Sequence, residues 1–410
     1  MKYKILVISP FVPYDKVGHA GGKVHNYYLK RFNNDKDYNV KLITFAELSE
    51  KIKIDLKKYS IDYKVFYNYN KFYHKLKRLL FYNISKKFNP FDKNAGFVDY
   101  YNKRTIINYL NELKLKKYQP DIIILAWTQV VLLIPYIKKV YPSCKYIAIE
   151  HDVSYLSLYR KHLYAKNSIK KYIRFIKYKN LKKSELRNLK EFDLIMPLNI
   201  KDMNLLLEEN LETYAKLDYI CPYFTNLSFV KPNFEENNII FFGAMDRQEN
   251  YDSCIWFIEN VFNKLLKIDK SFKFFIVGNK PNEKLYKYAN DNIVITGFVE
   301  DITLYFNKAL CMVVPLLLGA GIKIKVLEGM SAGLPVLTND IGIEGIPASN
   351  NDFIYCKVVD DYISNIMLLK DDTNKAREIG NNAKKFIKDN FNLDESYEKY
   401  KENILKLMDK

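Results

Sequence analysis

Residues 310–339 read LCMVVPLLLGAGIKIKVLEGMSAGLPVLTN, and the order of their parts decides the fold. An apolar run closes on Pro315, and then comes a bare Gly-Ala-Gly turn. A helical segment then carries Lys323, Lys325 and Glu328, and a second apolar run starts at Pro335. Two short continuous apolar strands joined by a helix read as parallel neighbours in a sheet covered on both faces. The turn between strand and helix falls where such sheets bind ligands, beyond the carboxyl ends of the strands.

The same alternation extends outward. NIIFFG (238–243), a helix over 251–268, KFFIVGN (273–279), a helix opened by Pro281, NIVITG (292–297) and a helix over 301–307 complete one α/β sheet. Proline suits a first helical position because its missing N–H has no partner there. The first half offers KILVIS (4–9), a glycine loop GHAGG (18–22) and helical KVHNYYLKRF (23–32). Apolar runs VKLITF (40–45), DIIILAW (121–127), KYIAIE (145–150) and DLIMPL (193–198) come next.

A chain of 410 residues exceeds one ordinary core. The expected fold class is therefore α/β, with two tandem Rossmann-like doubly wound domains facing a cleft and C-terminal helices packing back. The boundaries read as 1–221, a proline-bearing hinge over 222–234, a second domain over 235–390, and a helix over 391–410 returning toward the first domain.

Hydrophobic residues at 48% and aromatics at 15% rule out a disordered chain. Cys144, Cys221, Cys254, Cys311 and Cys356 are scattered without a CxxC spacing, which favours small core residues in a reducing compartment. The opening MKYKILVISPFVPY is too short and proline-broken for a signal peptide, and IIILAWTQVVLLIPYI (122–137) falls short of a bilayer span. The expected location is cytoplasmic, with any membrane contact peripheral.

Charge divides the chain. Residues 1–221 hold 42 lysines and arginines against 21 acids, while residues 222–410 hold 23 against 26. The first half therefore meets something anionic. Its excess concentrates in 71–91, with six basic residues and no acid, and in 160–190, with twelve against Glu185 alone. In the second stretch Ile169, Ile173, Ile176 and Leu181 approximate one helical face beside lysines, which suits either an anionic membrane surface or a solvated face around a packed stripe. No recognition-helix or RNA-binding motif accompanies the charge, so nucleic acid is not the expected partner.

At 319–323 the amides of Gly319, Ala320 and Gly321 are unobstructed. Lys323, placed in the helix's first turn, opposes the dipole by ~0.3–1 kcal/mol unless an anion offsets it. That lysine either is solvated or faces a phosphate; the helix mouth favours phosphate. Lys325 and Glu328, three apart, read as a surface pair contributing ~0.2–0.5 kcal/mol. Glu328, with the small residues GMSAG directly after it, could also accept hydrogen bonds from paired hydroxyls such as those of ribose.

The stretch 319–346 resembles the nucleotide-sugar signature of glycosyltransferase family 4, of the GT-B fold. FFGAMDRQENYDSCIWF (241–257) and NIVITGFVEDITLYF (292–306) resemble that domain's opening segment and base-binding segment. In the first half, Gly21–Gly22 and EHDVS (150–154) match the family's glycine loop and active-site histidine. The resemblance implies that Glu328 holds the ribose hydroxyls, and that Gly319, Ala320, Gly321, Ile322 and Lys323 hold the diphosphate and donor sugar. Phe298 and Val299 would meet the base, His151 the reacting sugar, and Gly21, Gly22 and His19 the diphosphate or acceptor.

Two departures stand out. The first of the family's paired glutamates falls at Ala320, and its frequent arginine falls at Ala244, with Arg247 the nearest basic candidate. The chain is similar to the branch that lacks that first glutamate. The resemblance implies a retaining, metal-independent transfer from a UDP- or GDP-sugar to a glycan or lipid-linked acceptor, with no cofactor; the DxD spacing of a metal site is missing at the strand ends. A GT-B-type nucleotide-sugar epimerase and a degenerate transferase acting as a scaffold are the rival readings.

Overall fold

The computed structural model describes residues 2–68, 92–165, 167–319 and 321–409, so the basic stretch 71–91 and Ala320 lie outside the described residues. The chain divides into two compact units, Met1–Cys221 with Asp394–Lys410, and Pro222–Leu393.

The first unit is built on strands β1 (Tyr3–Ile8), β2 (Tyr38–Glu47), β3 (Asp62–Asn68), β4 (Ile122–Ala126), β5 (Lys145–Glu150), β6 (Leu194–Pro197) and β7 (Lys216–Leu217). They lie in the order β3-β2-β1-β4-β5-β6-β7, every pairing parallel. Strand β4 is buried at all five residues, as its unbroken apolar run requires of a central parallel strand. The order reverses between β1 and β4, which makes the crevice beyond their carboxyl ends the ligand position of the sheet.

Helix α1 (Ala20–Asn34) begins three residues before the expected start, so Gly21 and Gly22 occupy its first turn, not a loop. The cause is His19, whose Nδ1 accepts from Gly22 N at 3.0 Å and caps the helix. Helices α2 (Ser154–Leu163) and α3 (Ser168–Leu189) come after β5 as a hairpin. The C-terminal helix Leu393–Met408 buries Tyr397, Tyr400, Ile404 and Leu407, one helical face, within this unit. Tyr400 and Tyr397 pack edge-on against Phe32 of α1, at 4.9 and 5.2 Å, and Lys401 bridges Asp35 at 2.8 Å.

The second unit has strands β8 (Asn238–Phe242), β9 (Lys273–Val277), β10 (Ile293–Gly297), β11 (Ala309–Val314), β12 (Val336–Thr338) and β13 (Ile354–Tyr355), all parallel, in the order β10-β9-β8-β11-β12-β13. Its reversal lies between β8 and β11. The helix expected over 251–268 is α4 (Gln248–Phe257), continued through a π-helical turn at Ile258–Phe262 into Asn263–Ile268. Pro281 does not open the next helix. Asn282 caps Glu283–Tyr286 through its side chain, and the better cap leaves the proline outside.

Helix α5 (Ile324–Ser331) comes from the stretch that set the fold. A Cβ on Gly329 would lie 2.6 Å from Met312 Sδ, so only glycine lets this helix settle so close onto β11. Residues 319–321 precede α5 and are not its first turn, and Lys323 occupies the cap position without making a side-chain cap bond. All five cysteines are buried free thiols.

Candidate functional site

In the second unit the candidate donor residues gather at strand carboxyl ends. Lys323 is 9% exposed, and its ammonium turns back to the Gly321 carbonyl and lies 3.5 Å from Glu344 Oε2. The lysine expected to lack an anion therefore has a carboxylate beside it, contributed from 21 residues downstream. Gly319 and Gly321 hold φ of +143° and +69°, backbone that a side chain would strain. Glu328 is buried at 4% exposure, and Oε1 accepts from Thr225 N at 3.2 Å. One turn on, Ser331 Oγ accepts from Leu227 N at 3.1 Å, so the same face of α5 ties down residues 225–227.

Arg247, at the cap position of α4, is exposed and paired with Glu249. Phe298 is 73% exposed and Val299 half-buried, immediately beyond the edge strand β10. Lys325 is not on the surface and does not pair with Glu328. Its ammonium reaches Asn250 Oδ1 of α4, near the end of β8.

The first unit brings its candidates together more tightly. His151, just past β5, is 9% exposed and stacks on Trp127, just past β4, with centroids 3.8 Å apart and planes 9° from parallel. His25 meets the same indole edge-on at 5.2 Å, and Phe11 does so at 5.4 Å. A Cβ on Gly21 would lie 3.1 Å from His151 Nδ1 and 3.3 Å from Trp127 Nε1, so the glycine admits the stacked pair. His19 faces Phe11 at 5.4 Å.

Burial drives the His151 imidazole well below the usual histidine range, with the charges of His25 and His19 adding to the effect. Burial likewise lowers His25 to about 3. Both His151 nitrogens lack a hydrogen-bond partner among the described residues. A neutral ring with an unused donor and an unused acceptor is equipped to bind a hydroxyl.

Trp127 was not among the sequence candidates. Its φ of +71° is strained for a residue with a side chain, and its N–H donates to Ile149 O at 3.0 Å, which fixes it against β5. Strain of this kind concentrates at functional sites. The available sequence signal was a tryptophan ending the apolar strand of 122–126.

Behind His151 lies a buried acidic pair. Thr128 Oγ1 is 2.9 Å from Glu150 Oε2, 3.3 Å from Glu185 Oε1 and 2.7 Å from Ser154 Oγ. Glu185 also accepts from Ser154 N and Tyr155 N, both at 3.1 Å. Among the described residues no three His, Cys, Asp or Glu side chains converge as a metal-binding group.

Residues 236–372 match the family model described as glycosyl transferases group 1. That stretch lies within the second unit. The fold is GT-B: sucrose-phosphate synthase from Thermosynechococcus elongatus aligns over 99% of both chains, with a TM-score of 0.69 at 13% identity. Anabaena HepE in complex with UDP aligns over 99% of this chain and 100% of its own, with a TM-score of 0.64 at 14% identity. TarM aligns over 98% of both chains, at 0.64 and 14%. An uncharacterized 44.6 kDa protein in the cps region of Klebsiella pneumoniae is 27% identical over 184 residues, 40% of this chain and 46% of that protein. The chain thus matches about half the length of that curated relative.

Proposed function

We propose that the protein is a retaining glycosyltransferase of the family 4 type, moving a sugar from a nucleotide-diphosphate donor to a glycan or lipid-linked acceptor in surface polysaccharide assembly. The observation that carries the reading is the match over 236–372, which spans the glycine loop, Lys323 and Glu328. It is supported by neighbours described with UDP, with UDP-glucose and, for S. aureus TarM, with UDP, fondaparinux and α-GlcNAc-glycerol, and by the relative in a cps region.

Donor cleavage leaves negative charge on the departing phosphate, and Lys323 and Arg247 are the cations placed to oppose it without a divalent ion. His151, neutral and with both nitrogens available, would hold a hydroxyl of the reacting sugar. Gly21 and Gly22, with His19 capping their helix, would lie against the diphosphate or acceptor. Glu150, the carboxylate next to His151, is fully buried against Thr128, so it is not a candidate nucleophile. Retention would then proceed by attack from the leaving-group side, without a covalent sugar–enzyme intermediate on Glu150.

Glu328→Gln tests the donor site. One carboxylate oxygen accepts from Thr225 N, and the other would accept from the ribose. Calorimetric titration with UDP and GDP is expected to show affinity falling at least about tenfold for the nucleotide that binds. Unchanged affinity removes the ribose role.

The basic half would meet an anionic membrane face. Leu181 is buried, but Ile169 is 72% exposed at the opposite end of α3, so the apolar stripe is packed only in part. Leu163, Tyr164 and Tyr172 are exposed nearby, among Arg160, Lys161, Lys170 and Lys171. Basic residues near anionic lipid contribute about 1 kcal/mol each. Flotation should recover the protein with phosphatidylglycerol vesicles far more than with phosphatidylcholine vesicles, and added salt should abolish the difference. Equal recovery overturns the electrostatic account. No helix among the described residues is long and apolar enough to cross a membrane.

A further inference from the structure

Lys325 stands two residues after the glycine-loop lysine and points elsewhere. From α5 its ammonium reaches across to α4, where it donates to Asn250 Oδ1. It sits 4.5 Å from the centroid of Phe241, in β8. A Cβ on Gly243 would lie 3.0 Å from Nζ, so the charge is delivered to the point where β8 ends and the strand order of the sheet reverses. The loop there, Gly243-Ala244-Met245, has no charged side chain of its own.

Among the described residues no carboxylate forms an ion pair with Lys325. The charged and titratable groups acting on it are Cys254, Arg247 and Glu249 from α4 and its cap, and Lys323 from the loop before α5. Arg247 and Lys323 repel it, and Glu249 is already bound to Arg247. A half-buried ammonium held by one amide oxygen and a ring face is costly, and an apolar side chain of the same length would pack there at lower cost. Lys323 and Arg247 each have a carboxylate partner, whereas Lys325 at the end of β8 has none among the described residues, and a bound anion would relieve it.

We propose that Lys325 receives a phosphate of the donor at the carboxyl end of β8, beside the uncharged start of the loop, Gly243-Ala244-Met245. The assignment rests on the nucleotide-sugar reading and adds to it a residue and a linked proton. Burial lowers the Lys325 ammonium to about 7, so near neutrality a sizeable fraction of the protein holds it as the free amine. A bound phosphate favours the charged form and raises that value again. Binding above pH 7 therefore takes up a proton, and affinity falls as pH rises. Below pH 7 the ammonium is already formed and the dependence disappears.

The test is calorimetric titration with UDP-glucose and, in parallel, GDP-glucose, whose diphosphates do not titrate near neutrality. Runs at pH 8 in buffers of different ionisation enthalpy count the protons exchanged. The unaltered protein should take up between about half a proton and one proton, and its affinity should fall about three- to tenfold from pH 7 to 8.5. Lys325→Met and Lys325→Gln should each weaken binding at least about tenfold at pH 7 and abolish the proton uptake, while melting no earlier than the parent. Binding and proton uptake unchanged in both variants overturn the assignment. Failure of both nucleotide sugars to bind the unaltered protein overturns the glycosyltransferase reading, and this assignment with it.

Discussion

His151→Ala should lower sugar transfer at least about 100-fold while leaving nucleotide affinity unchanged. The separation comes from where the residues sit. His151 belongs to the first unit, and the proposed donor residues Lys323, Glu328 and Arg247 belong to the second. Removing the imidazole would take away the proposed contact to the reacting sugar and leave Lys323, Glu328 and Arg247 in place.

The ring's environment adds a second expectation. Stacked on Trp127 and buried, it stays neutral well below the usual histidine range. Transfer rate should show no inflection near pH 6.5 attributable to histidine, since the working form is already neutral there. The folded state binds fewer protons at this site than the unfolded chain, so His151 costs stability as pH falls below the unfolded value. Full turnover in His151→Ala, measured as sugar transferred at saturating donor, would sink the assignment.

The sheets were legible because parallel strands buried on both faces announce themselves as unbroken apolar runs, as Ile122–Ala126 and Ala309–Val314 do. Edge strands carry no such signal. DYKVFYN of β3 mixes charged, polar and aromatic residues, and β7 and β13 are two residues each. The glycine loop at 319–321 could be located, but not the exact start of α5, because an α-helix shows the same local pattern one turn earlier.

Contacts distant in sequence were not legible. Lys323 meets Glu344, Lys325 meets Asn250, and Glu328 meets Thr225; for Lys325 and Glu328 a nearer partner, each other, looked sufficient on the helix wheel. Lys325 and Glu328 show why spacing alone misleads. Three residues apart fits a surface pair, yet both side chains turn inward because α5 lies so close to β11 that little of it reaches solvent. The strain at Trp127 was likewise invisible, since a positive φ at a tryptophan runs against what any propensity would suggest.

Between pH 5 and 8 the first unit of the parent should lose stability relative to a Glu150→Gln variant, in which the opposite contributions of His151 and His25 are unchanged. A proton count gives the reason. Thr128 has one hydroxyl proton and faces two carboxyl groups and the Ser154 hydroxyl, so it cannot donate to both acids. One carboxyl must bring its own proton. Burial pushes the Glu185 carboxyl up to about 8, but the two backbone N–H groups it accepts favour its ionised form, whereas Glu150 Oε1 has no hydrogen-bond partner among the described residues. The proton therefore resides on Glu150, whose carboxyl is pushed far above the usual range by burial and then by the charge of Glu185. A carboxyl with a raised folded-state value holds its proton when the unfolded chain has released it. The contribution is complete below the unfolded value, about 4.3, and is lost progressively as pH rises toward the folded one. Glutamine keeps the shape and the amide protons and has no titrating proton to lose. Trp127 and Trp256 are the two tryptophans, so in a Trp256→Phe background fluorescence reports the first unit alone. Each kcal/mol should appear as roughly 2–4 °C in its melting temperature for a unit of this size. A first unit whose melting temperature changes equally between pH 5 and pH 8 in the parent and in Glu150→Gln would show that both carboxylates are ionised, and that the loop bearing His151 is anchored in some other way.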